Sequence, residues 1–149
     1  MAAKPFTLRP IPGEPDWDEW LHGDTGLFNE AVIGPVRARR EGNTSIARMI
    51  PARRHLNEIG TIHGGATVGF IDVALFVGIR VLLDADPTST LTLDLATQFI
   101  GAGSGDEPLD AHVEILRETG RMVFLRGTVE QSHGIVAGFS ATVRKPSRK

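Results

Sequence analysis

Twenty consecutive residues, Gly64 to Leu83 (GGATVGFIDVALFVGIRVLL), carry only two ionisable side chains, Asp72 and Arg80. The stretch is long enough for five turns of helix, and Pro87 forbids its continuation. We therefore expect one helix over about residues 65–83. A helix that is apolar on every side must be covered on every side, so the rest of the chain wraps part of it and something else must cover the remainder. The longest uninterrupted apolar run, Val73 to Ile79, is far shorter than the ~20 residues that cross a bilayer. The expectation is the core helix of a soluble protein.

The remaining sequence supplies the wrapping. After Pro87 the apolar period changes to two: Leu91, Leu93 and Leu95 alternate with polar neighbours, as do Leu109, Ala111, Val113 and Ile115. Two more alternating runs, Met122–Gln131 and Ile135–Arg144, are joined by Ser132-His133-Gly134, and a turn at Glu118-Thr119-Gly120 precedes them. Upstream, VIGPVRARR and TSIARMI flank Glu41-Gly42-Asn43 and read as a hairpin. Residues 51–65 read as irregular, and 101–108 as the one long connection among the later strands. The fold class is α+β: a curved antiparallel sheet of five or six strands around one helix. Residues 1–30, with prolines 5, 10, 12 and 15, read as an N-terminal arm packed on the body. Trp17 and Trp20, three apart, suggest a helical turn stopped by Gly23. Residues 31–149 then form a single domain, the usual allotment for a 149-residue chain.

Composition removes several functions. Sixteen basic against eighteen acidic side chains give a net charge of −2, so nothing draws the whole chain to nucleic acid or an anionic membrane. With no cysteine there is no disulfide, thiolate nucleophile or Cys-containing zinc site. His55 and His63 are eight apart and His112 stands two before Glu114, neither a zinc spacing, so no metal or cofactor is expected. Ser104 in GAGSGD lacks the glycine placement of a nucleophile elbow, and no GxxxxGK is present. The first thirty residues contain no signal-like apolar stretch, and a cytoplasmic location is expected. The C-terminal RKPSRK reads as a solvated tail.

Asp72 requires an explanation. A carboxylate in an apolar helix loses several kcal/mol of hydration unless it is paired or partly wet. It either bonds a neighbouring group or faces water for a purpose. Eight residues earlier stands Gly64, at the helix start, where free N–H groups attract a negative oxygen. Eight residues at ~1.5 Å each separate the two by about 12 Å along the axis, too far for one substrate carbonyl to meet both. A second, antiparallel copy of the helix would bring its Asp72 beside the first Gly64, would cover the bare helix face, and predicts a two-fold dimer with two shared sites. Gly65, Gly69 and Gly78 would permit the close approach.

The pattern Asn57-x5-His63-Gly64-Gly65-x6-Asp72, within a hairpin–helix–meander order over residues 32–144, closely resembles the hotdog-fold acyl-CoA thioesterases of the phenylacetic-acid-degradation type. The resemblance implies hydrolysis of an acyl- or aryl-CoA thioester by a homodimer, or by a tetramer built as a dimer of dimers. By the same resemblance Gly64 supplies the oxyanion N–H, and Asp72 of the partner subunit acts as general base or nucleophile. Asn57 orients the water or carbonyl, His63 assists, and Thr92 matches a hydroxyl residue on the following strand. Gly65, Thr92 and Phe76 fall at substrate-binding positions, although Phe76 stands where relatives carry a hydroxyl. Bland readings stand beside these: His63 fixing its loop through backbone bonds, Asn57 capping its own turn, Thr92 as an ordinary strand residue. Pocket depth would be set by side chains such as Phe70, Leu75 and Phe76. Arg37, Arg39, Arg40, Arg53, Arg54, Arg117 and Arg121 read mostly as solvated surface, Arg121 being the best placed to meet coenzyme A phosphates. A hotdog enoyl-CoA hydratase or dehydratase and a non-catalytic acyl-CoA binding protein are the alternatives.

Overall fold

The structure is a computed structural model that describes residues 6–21 and 25–146. Helix α1 spans Gly64–Leu83, one residue longer at its start than expected, and ends at Asp84 in the left-handed region (φ 49°). By length and composition it resembles a helix able to cross a membrane. Here its apolar sides are used differently. Phe70, Ile71, Val73, Ala74, Leu75, Val77 and Ile79 are buried among inward-facing side chains such as Val113, Val129 and Val143. Each large side chain so removed from water contributes about 2 kcal/mol. Gly78 lets the helix lie close on β6, since an added Cβ would stand 2.9 Å from Val113 Cγ1.

The wrapping sheet has eight strands: β1 (Thr7–Ile11), β2 (Glu14–Leu21), β3 (Val36–Glu41), β4 (Thr44–Met49), β5 (Leu91–Phe99), β6 (Leu109–Glu118), β7 (Met122–Gln131) and β8 (Gly134–Arg144). All pairings are antiparallel, in the order β1-β2-β3-β4-β6-β7-β8-β5. The β3–β4 hairpin and the β6–β7–β8 meander follow the expected alternation. Segment 101–108 carries the chain from β5, at one edge, back to β6 beside β4. Register shifts at Thr92/Asp94, Ile115/Arg117 and Val129/Glu130 are bulges of the kind that bend a sheet around its contents. A curved antiparallel sheet around one central helix is the hotdog fold.

Two expectations are corrected. The helical turn at Trp17–Trp20 is a strand: β1 and β2 form a hairpin that extends the sheet, β2 pairing with β3 through Trp20 and Val36. This raises the strand number from five or six to eight. A spacing of three places the two tryptophans on opposite faces of a strand. Trp20 is buried and stacks on Phe6 at 5.1 Å, whereas Trp17 lies outside, 4.6 Å from the guanidinium carbons of both Arg39 and Arg48. Second, the run beginning at Val32 is not strand throughout. Residues Asn29–Ile33 form a single π-helical turn, Gly34 turns the chain at φ 82°, and β3 starts only at Val36. The bare helix face, by contrast, is present as expected: α1 is not covered on every side by its own chain. A stripe through Gly65, Val68, Gly69, Asp72, Phe76 and Arg80 stays exposed or half-buried. Gly23 and residues 147–149, which end the expected tail, lie outside the described residues.

Candidate active site

The start of α1 is set by His63. Its backbone is extended (φ −62°, ψ 136°), and its ring Nδ1 accepts the Gly65 N–H at 2.8 Å. Its carbonyl oxygen accepts the N–H groups of Ala66 at 2.9 Å and Thr67 at 3.1 Å. The first four N–H groups of a helix have no partner within the helix start itself and depend on such caps. Three of the four are thus satisfied by one residue. The fourth, Gly64 N–H, has no acceptor among the described residues, and it stands at the positive end of the helix dipole.

Asp72 sits two turns further along the same helix, half-buried on the uncovered stripe. Its Oδ1 accepts the Thr92 hydroxyl at 2.8 Å, and its Oδ2 accepts nothing among the described residues. One carboxylate oxygen is held while the other stays available. Because α1 is continuous from Gly64 to Asp72, the separation of about 12 Å along the axis holds in the folded chain. Within one subunit the two groups do not meet.

The other expected residues divide. Thr92 joins Asp72 rather than standing only as an ordinary strand residue. Gly65 lends its N–H to His63 and is exposed at the site. Asn57 is occupied within its own turn: Oδ1 accepts the Ile59 and Thr61 N–H groups at 3.1 Å, and Nδ2 donates to Thr61 Oγ1 at 2.8 Å. Here its amide shapes the loop leading to His63, and the His63 Nδ1 bond likewise fixes local backbone. Phe76 lies on the uncovered stripe one turn beyond Asp72, its ring centroid 6.5 Å from that of Phe6. Phe70 and Leu75 are wholly buried against the sheet, so the expectation that they set pocket depth is corrected. Phe70 stands two residues before Asp72, on the far side of the helix, whereas Leu75 borders the Asp72 face but turns into the core.

Among the arginines, Arg37 pairs with Glu14 and Arg39 with Glu41, Arg40 bonds the Gly42 carbonyl, and Arg54 bonds the Val32 carbonyl. Arg121 is exposed. Far from the site, on the outer sheet face, a paired hydrogen bond with Asp110 (2.7 Å to each oxygen) raises the Arg48 guanidinium further above its usual range, against the effect of burial. Sequence reasoning missed Phe99. This β5 residue, 56% exposed, packs over Gly64 and would stand 3.2 Å from a Cβ added there. Strand β5 thus touches both ends of the site, Thr92 at the acid and Phe99 at the free N–H. The only signal was alternation along β5.

Residues 59–137, just over half the chain, match the family model of the thioesterase superfamily. The chain belongs to the thioesterase superfamily. Membership makes it an enzyme of thioester hydrolysis with an acyl-CoA-type small molecule as substrate. Among solved structures it is similar to a mutant form of the phenylacetic acid degradation protein PaaI from Thermus thermophilus. The TM-score is 0.66 at 18% identity, over 80% of this chain and 98% of that one. Thioesterase superfamily member 2 from Mus musculus gives 0.66 at 17% identity over 80% and 90%, and a conserved protein from Pseudomonas aeruginosa gives 0.67 at 20% over 78% and 92%. At these identities the likeness is one of fold. No curated protein matches the chain.

Proposed function

We propose that this thioesterase hydrolyses an acyl- or aroyl-CoA thioester to the free acid and coenzyme A, at sites shared between two subunits. The observation that carries the reading is the helix start, where three of four N–H groups are capped by His63 and that of Gly64 is not. Gly64 N–H, backed by the helix dipole, receives the carbonyl oxygen as it becomes an oxyanion. Asp72 from the partner, oriented by its own Thr92, deprotonates a water that attacks the carbonyl carbon. The C–S bond breaks and the coenzyme A sulfur leaves, taking up the proton. Alternatively the carboxylate attacks first, giving a mixed anhydride that water then opens. Both routes use the same two groups, and both draw only on the chain and on water.

Two observations support the shared site. The uncovered stripe of α1 runs through Asp72, and β5, an edge strand, exposes Leu91 and Leu93 beside it. An antiparallel second copy would cover both. Asp72→Asn keeps shape and removes the base. Free-thiol release from a panel of short, medium, long and aromatic CoA esters should fall roughly 10²- to 10⁴-fold in a folded variant. Turnover equal to the parent would refute the assignment. Retained ligand binding with no thiol release from the parent itself would favour a binding protein, and hydration of an enoyl-CoA a hydratase.

A further inference from the structure

We infer that His55 is a positioning residue that ties the oxyanion corner to the segment covering the helix beside Asp72. The inference rests on the proposed use of Gly64 and Asp72. His55 is 1% exposed, and both of its ring nitrogens are engaged. Nδ1 lies 2.9 Å from the Ala52 N–H, which can only donate, so Nδ1 is the acceptor and the ring proton resides on Nε2. That Nε2–H donates to the Val32 carbonyl at 2.7 Å. Each bond is therefore specific to one of the ring nitrogens.

The residue's backbone faces the site. The His55 carbonyl accepts the His63 N–H at 2.8 Å, which fixes the residue that caps α1 and leaves Gly64 N–H free. The Val32 carbonyl belongs to the π-helical turn Asn29–Ile33, whose position is further held by Arg54 Nε at 2.9 Å from the same oxygen. That turn lies on α1 at Gly69. A Cβ at Gly69, three residues before Asp72, would stand 3.2 Å from Ile33 Cδ1 and 3.5 Å from the ring of Phe28. One buried imidazole thus links the loop that places the oxyanion donor to the segment that borders the acid. Truncating it would leave the Ala52 N–H without its acceptor and remove one of two donors from Val32, loosening both connections at once. Displacement of a reacting group by about 1 Å is enough to cost on the order of 10²-fold in rate.

The test uses three variants of the full chain. His55→Ala removes both bonds, His55→Asn keeps an acceptor at the Nδ1 position, and His55→Gln keeps a donor at the Nε2 position. The expected result is a fall in kcat of about 10- to 100-fold in His55→Ala with KM little changed, and intermediate values in the two partial replacements. Amide hydrogen exchange at His63 and Gly65, whose N–H groups are bonded, should quicken in the same order. Parent kcat in His55→Asn and His55→Gln, with lowered melting temperature alone, would overturn the inference and leave His55 a structural residue; so would unchanged exchange at His63 and Gly65 in His55→Ala. The exchange measurement decides the positioning role even if the parent enzyme releases no thiol from any ester offered, which would refute the proposed function separately.

Discussion

Thr92 reaches Asp72 across twenty positions of sequence because β5 lies along α1, and the 2.8 Å bond between them is the one side-chain contact that aims the acid. Hydrogen bonds to charged groups are worth about 1.5–3 kcal/mol. Thr92→Val keeps the shape and the strand preference and removes the hydroxyl. We expect kcat for thioester hydrolysis to fall by about tenfold with KM little changed, as for a group that orients the base. A variant with parent kcat would make Thr92 an ordinary strand residue. The pair Gly64 and Asp72 was legible beforehand because helix geometry converts spacing into distance without any tertiary information. The Thr92 link was not, since it depends on which strand borders the helix and on the bulge at Thr92/Asp94. Asn57 shows the opposite case. Its place in the pattern suggested a site role, whereas its own loop takes up its amide.

At the scale of elements, the helix, the first hairpin and the final meander could be read from apolar periods and turn residues. The β1–β2 hairpin could not, because Pro10 and Pro15 obscure the strand signal and Trp17 and Trp20 mimic a helix face. Proline is tolerated there since β1 is an edge strand and β2 pairs with β3 only from Asp18 to Trp20. The inner strands have less latitude. Gly127 on β7 lies opposite Val113, and an added Cβ would overlap the His112 carbonyl and approach Phe139 Cζ at 2.6 Å. Backbone cannot yield there as a side chain would. Gly127→Ala should therefore lower stability by about 3 kcal/mol, read from the urea midpoint. An unchanged midpoint would mean that β6 and β7 separate more freely than their register suggests.

At the scale of the whole molecule, the proposed function gives one subunit half of two sites: a free N–H at the head of α1 and, about 12 Å along the axis, a carboxylate with one open oxygen. Two single variants separate these halves. Asp72→Asn removes the acid. Gly64→Pro removes the N–H, at a first helical position where proline is well accepted and after a residue, His63, already in the extended conformation that precedes proline. Phe99 would have to give by a few tenths of an ångström. The decisive measurement is thiol release by mixed dimers of the two variants, purified by separate tags. Each variant alone should be nearly inactive, and the mixture should regain about half the parent rate, because one of its two sites pairs an intact Gly64 with an intact Asp72. Folded mixed dimers that stay as inactive as the single variants, or a parent fully active as a monomer, would contradict the shared site.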